Sequence, residues 1–171
     1  VHLAVGMRGR VIILNASNKL VSGDDLPQVA VLEGKDKGVG SRTVTCLRYS
    51  SGWQDASTSW LAAGTKEGVI VLFNADITND IYTKIGLLKG HTGAVTHIDF
   101  ASAVIDAKPT FMRSNSEALE LLLWDLKDRR PLASAAQLRD QTWHTHSCPL
   151  AWHTKGLLPE GAAWGEVGGV D

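Results

Sequence analysis

VTCLRYSSGWQDASTSWLAAGTKEGVIVLFNA, residues 44–75, and VTHIDFASAVIDAKPTFMRSNSEALELLLWDL, residues 95–126, decide the fold. They align without a gap at a spacing of 51 positions. Val44 and Thr45 match Val95 and Thr96, Leu47 matches Ile98, and Tyr49 matches Phe100. Trp60 matches Phe111, Thr65 matches Ser116, and Leu72-Phe73-Asn74 match Leu123-Trp124-Asp125. Apolar and aromatic character recurs in place, as a shared packing role requires, so the two stretches are copies of one structural unit. A partial third copy opens the chain: LAVGMRGRVIILNA from Leu3 resembles LAAGTKEGVIVLFNA from Leu61, with one residue extra in the later copy.

Each unit is built from short segments rich in β-branched and apolar residues. VTCLRY and VTHIDF alternate as half-buried strands do, whereas VIVLF and ELLLW read as strands buried on both faces. WLAAG and FMRSN precede them across TKEG and SEA, which read as hairpin turns, with Gly68 free to supply a positive φ. A fourth strand falls around YTKIGLL, residues 82–88. ALELLLWDLKDRR is the best helical candidate, but its strand-like copy 51 residues earlier counts against it. Four antiparallel strands per 40–55 residues mark a β-propeller blade. The boundaries follow: 1–43 the end of one blade and a connection, 44–89 a blade, 90–138 a blade, and 139–171 the start of a further blade with a divergent tail. A closed ring needs about four to eight blades. The chain holds about three and opens at Val1, so we expect a piece of a longer chain, or one completed by another chain.

Composition narrows the function classes. Of 171 residues, 44% are hydrophobic and 20% charged, a globular balance. Seventeen basic against eighteen acidic residues give a net charge of −1, which argues against a strongly basic nucleic-acid binder and leaves room for a local basic patch. The longest apolar runs are VIIL and VIVLF, far short of the roughly 20 residues that cross a bilayer. Two cysteines, Cys46 and Cys148, do not make a disulfide framework and suit a reducing compartment.

Gly90-His91 opens the unit that closes on Trp124-Asp125, and this pair at this spacing resembles a WD40 repeat. In that family a histidine, a serine or threonine, a turn aspartate and the tryptophan form a buried hydrogen-bond network. By position the resemblance gives His91, Ser114 and Trp124 these roles. It places the aspartate at Ala118, leaving the network one member short, with Glu117 next to the gap. The preceding unit has no Gly-His and carries Phe73-Asn74 in place of Trp-Asp.

Further along, Ser114-Asn115-Ser116, Trp124-Asp125, Arg139-Asp140, Trp143, Trp152-His153 and Pro159-Glu160-Gly161 follow one another in order. Together they resemble the late second propeller of the echinoderm microtubule-associated protein-like family. The chain departs from that pattern at Leu158 and after Gly161. The resemblance implies a WD40-type propeller fragment with structural roles for His91, Ser114, Trp124, Asp125 and Asp140. It also implies a non-catalytic scaffold that binds tubulin or other cytoskeletal or axonemal proteins through rim loops. Its setting would be the cytoplasm and cytoskeleton, with a ciliary axoneme as one location. Its other partner would be the remainder of its own propeller, without nucleic acid, membrane or cofactor. A generic WD40 adaptor of another complex is the competing reading, and 137–161, which generic repeats lack, discriminates against it.

Other clusters carry competing readings. If 143–148 is a strand, His144, His146 and Cys148 share one face, with His153 nearby, and such donors bind zinc. No second cysteine pair exists, so we assign no metal. A Gly-rich stretch, Gly38-Val39-Gly40, lacks the GKS or GKT ending of a phosphate loop and reads as an inter-blade connection. Lys35, Lys37 and Arg42 make that connection basic, with Arg48 near it, and Lys127, Arg129 and Arg130 form a second basic loop. These six are the candidate contacts for an acidic partner. Of six tryptophans, Trp60 and Trp124 sit at matched core positions. Trp53, Trp143 and Trp152 lie near strand ends, where core packing competes with rim anchoring.

Overall fold

The computed structural model describes residues 2–16, 26–50, 59–102 and 109–151. Trp53, Trp152, His153, Leu158, Pro159-Glu160-Gly161 and the tail fall outside them. Among the described residues, eleven strands form three antiparallel sheets in chain order. The first holds β1 (His2–Met7), β2 (Arg10–Asn15) and β3 (Gln28–Glu33). The second holds β4 (Val44–Tyr49), β5 (Ser59–Thr65), β6 (Val69–Asp76) and β7 (Ile81–Lys89). The third holds β8 (Val95–Phe100), β9 (Phe111–Ser116), β10 (Leu121–Asp125) and a short β11 (Arg130–Pro131). This is the expected open, all-β stack of propeller blades. The first sheet has three described strands, of which β1 and β2 correspond to β5 and β6. ALELLLWDLKDRR contains β10, not a helix. The connection after β3 carries an unforeseen one-turn helix, α1 (Gly34–Lys37).

The repeat has a physical cause in how blades approach one another. Gly6 and Gly64 hold equivalent places in LAVG and LAAG. A Cβ on Gly6 would lie 2.4 Å from Val44, and one on Gly64 would lie 2.8 Å from Val95. Val44 and Val95 are the matched first residues of β4 and β8. Each glycine therefore lets the first strand of the following blade come close. Thr45 and Arg48 of β4 then bond to the carbonyls of Val95 and Ile98 on β8.

Period-2 alternation sends β5 and β6 residues into two different cores. Leu61, Ala63, Val71 and Phe73 meet Val11, Ile13 and Leu32 of the first blade. Ala62, Ile70 and Leu72 meet Val95, Ile98, Phe100, Met112 and Trp124 of the third. The far face of the third blade is covered by Leu138 and Trp143, which pack on Ala101 and Leu123. The far face of the first blade leaves Leu3, Val5 and Met7 36–49% exposed. A polar chain also ties the first two blades: His2 bonds to Tyr82, Tyr82 to Tyr49, and His2 pairs with Asp80 at 2.9 Å.

Candidate functional site

The antiparallel meander sorts the loops onto two ends of the strands. One end carries the β1–β2 turn, α1, the β5–β6 turn and the segment around His91. Gly9 donates to Arg42 O, Lys66 N to Thr43 O and Glu117 N to Ala94 O, which draws these segments together. The opposite end carries the β6–β7 turn and the loop after Asp125.

His91, buried at the first end, bonds to Ser114 Oγ through Nε2 (2.7 Å) and to Glu120 through Nδ1 (2.9 Å). Trp124 Nε1 donates to the same Ser114 Oγ at 2.7 Å. With the indole N–H as donor, the serine proton is directed to Nε2, and the imidazole donates from Nδ1 to Glu120. Burial pulls the His91 pKa below its ordinary value against the pull of Glu120, which favours that neutral form. The expected role of Ala118 is therefore filled by Glu120, two residues on. Its carboxylate also receives Thr92 N and Oγ1 and Ser116 Oγ. Burial alone would raise the Glu120 pKa, but these bonds from Ser116, Thr92 and His91 pull it down to about 2. Glu117 is exposed and takes no part through its side chain. The order Ser–His–Glu mimics a catalytic triad. Yet Ser114 is fully buried and its oxygen is held by the indole, so it presents no nucleophile.

A second buried network sits in the third blade. Asp99 and Arg113 are 0% and 2% exposed, and pair at 2.9–3.0 Å. Asp99 also accepts from Thr145 Oγ1, from Ser147 N and Oγ, and from Cys148 N. Burial opposes its charge, but these donors hold its carboxyl well below the usual carboxylate range. The Arg113 guanidinium lies 4.6 Å over the Trp143 ring. Asn115 joins in, accepting from Leu150 N (2.8 Å) and donating to Leu150 O (3.0 Å). Residues 142–151 are thus fastened along β8 and β9 by side chains. Beyond the Ala101–Trp143 bridge they form no β ladder.

That geometry corrects the strand premise behind the metal reading. His144 and His146 are exposed, whereas Cys148 is buried with its thiol toward Arg113 O, so the three do not share a face. Burial pushes the Cys148 thiol up, and the Cys46 thiol up to about 11. Trp124 and Trp143 are core residues, and Trp60 is half-buried against the same core as Trp124.

The six candidate partner contacts divide between the two ends. Lys35 and Lys37 are exposed on α1, and Arg42 donates to Val39 O. On the opposite end Asp125 orders its loop by accepting from Lys127 N and Asp128 N. Arg130 pairs with Asp128 at 2.9 Å. Arg129 reaches the neighbouring blade, donating to Ile85 O (2.9 Å) with its side chain across Gly86. Lys127 is exposed. The Asp140 side chain is 97% exposed and lies 3.9 Å from Arg139.

Comparison with known proteins adds lineage to this geometry. No protein-family model matches the chain. The 77 kDa echinoderm microtubule-associated protein of Lytechinus variegatus is 31% identical over 116 residues, 68% of this chain and 16% of that protein. Human echinoderm microtubule-associated protein-like 3 is 26% identical over 162 residues, 94% of this chain and 16% of that protein. A chain in the crystal structure of the mitotic checkpoint complex is 18% identical, with a TM-score of 0.45. That match covers 72% of this chain and 31% of the other. The chain spans about 15% of the length of the curated relatives it matches.

Proposed function

Because the chain belongs to the echinoderm microtubule-associated protein-like family of WD-repeat proteins, we propose that it is a non-catalytic scaffold that binds microtubules through loops at its strand ends. The observation that carries this reading is its identity with proteins named for microtubule association, across 66–94% of the chain. The architecture supports it: blades packed through dry cores hold loops in fixed positions, and rigid scaffolds bearing functional loops are a common binding design. The polar networks are consistent with it too, since His91, Ser114 and Glu120 are engaged with one another and with Trp124. Tubulin, or an axonemal protein built on it, is the partner; the cytoplasm and cytoskeleton are the setting, with the cilium as a specialised case. The remainder of a propeller would cover the Leu3, Val5 and Met7 face.

Microtubule co-sedimentation at two salt concentrations tests this. Saturable pelleting that weakens with salt is the expected result. No pelleting at low salt, from protein with an intact cooperative unfolding transition, overturns tubulin as the direct partner.

A further inference from the structure

We infer that the α1 end of the first two blades docks an acidic polypeptide segment carrying an apolar side chain, and that the Lys127–Arg130 loop does not serve this role. The inference rests on the scaffold reading and specifies its surface. Arg8, Arg10, Lys35, Lys37 and Lys66 are all exposed at this end. Among the described residues, their side chains form no ion pair or side-chain hydrogen bond. They are held near one another by the backbone. Arg8 bridges Thr43, Arg10 pairs in register with Glu33 just before α1, and Lys66 N donates to Thr43 O. Arg42 joins them through Gly9 N, which donates to its carbonyl at 2.8 Å. The acids at this end are fewer, and Glu67 is already engaged by Thr43 N.

Beside these cations a groove of about 470 Å³ opens between β3 and β7. Val31, Leu32, Ile81 and Tyr82 give it apolar walls, with Lys37 and Lys84 also lining it. The groove runs along the strands from α1 toward the β6–β7 turn, where Ile81 is 54% exposed. Cations without partners beside an apolar slot fit a carboxylate-rich segment with an aliphatic or aromatic side chain. A peptide is favoured over a nucleic acid by the apolar walls of the slot; Asp36 and Asp80, which also line it, disfavour either polyanion inside and leave the charge contact to the cations at its rim. On the opposite end, Arg129 and Arg130 are engaged with Ile85 O and Asp128.

The test is fluorescence anisotropy of a labelled poly-glutamate peptide with one central phenylalanine, titrated with the whole chain. We expect saturable, salt-weakened binding. The Arg8→Glu/Arg10→Glu/Lys37→Glu variant should bind at least about tenfold more weakly, since like charges replace attractive ones. Ile81→Ser should weaken the phenylalanine peptide and leave an all-glutamate peptide unchanged. Lys127→Glu/Arg130→Glu should stay within about twofold of the parent. If the triple variant loses its unfolding transition, Arg8→Gln/Lys37→Gln replaces it, with a smaller loss expected. Absence of peptide binding by the folded chain overturns the inference, as does an equal loss in the Lys127 variant. Tighter binding of a poly-uridine RNA at the same surface would overturn it in favour of nucleic acid. Microtubule pelleting that survives the triple substitution would overturn this surface while leaving the scaffold function standing. Peptide binding without pelleting would do the reverse.

Discussion

Asp99 and Arg113 stand directly opposite each other in the β8–β9 ladder, and their ion pair is closed off from solvent. The same carboxylate receives two backbone amides from the segment that follows the third blade. It therefore neutralises a buried cation and anchors residues 145–148 at once.

Asp99→Asn should be the most damaging of the polar substitutions. It leaves Arg113 charged and unpaired in a dry site, a loss of about 3–5 kcal/mol. The amides of Ser147 and Cys148 should exchange faster with deuterium than those of β6. Replacing both partners by apolar residues should restore only part of the loss, because those two amides would still lack their acceptor. Chemical denaturation of the two single variants and the double variant measures this.

Ser114→Ala should cost about 1–3 kcal/mol, since it orphans the Trp124 indole N–H and one nitrogen of His91 in the interior. Glu120→Gln should cost less, because the amide oxygen can still accept from Thr92 and Ser116. Urea midpoints of the two variants should fall in that order.

Acid should unfold the protein in steps. His91 has its pKa depressed on folding, so the unfolded chain takes up the proton first. Its contribution is complete above the ordinary value of 6.5 and declines as pH falls below it. Glu120 is likewise depressed, from 4.5 to about 2, and its contribution is lost across that window as pH falls. Asp99 follows below 3.8. Urea midpoints measured down the pH scale should decline from near 6.5. His91→Gln should flatten the first part of that decline and leave the lower part.

Leu119→Asn should stabilise the chain by up to about 1 kcal/mol. Gly68 turns the β5–β6 hairpin with φ of 72°, and Leu119, its partner 51 positions on, is held at 59°. A branched side chain pays for that conformation, whereas asparagine visits it readily. Leu119 is also half-exposed, so little packing is lost. Thermal unfolding gives the comparison.

Arg129→Ala should lower stability by less than about 1 kcal/mol through the lost contact with Ile85 and Gly86. It should leave microtubule pelleting unaltered. A parallel loss of pelleting in well-folded protein would return this loop to the binding surface.

Much of the fold is legible in the sequence because it depends on local alternation and on recurrence. The matched VT, LA-x-G and Leu-Trp-Asp positions are the places where blades touch, so their spacing carries the architecture. His91, Ser114 and Trp124 are legible for the same reason. Glu120 escapes because attention falls on the turn, at Ala118. A carboxylate with one more methylene reaches the same partners from beyond it, and the corresponding Val69 offers no hint. Asp99 and Arg113 are 14 positions apart, and only the register across the hairpin joins them. The available signal is a charge wedged between Ile98 and Phe100, in a strand whose neighbours are buried. The division of basic residues between two ends is invisible until strand direction is known.

The glycine-mediated approach of each blade to the next makes the molecule a one-dimensional stack, in which stability passes between nearest neighbours. The middle blade is sealed on both faces, while the first shows Leu3, Val5 and Met7 outward. Whatever packs on that face, the remainder of a propeller in our proposal, would therefore raise the cohesion of every blade behind it.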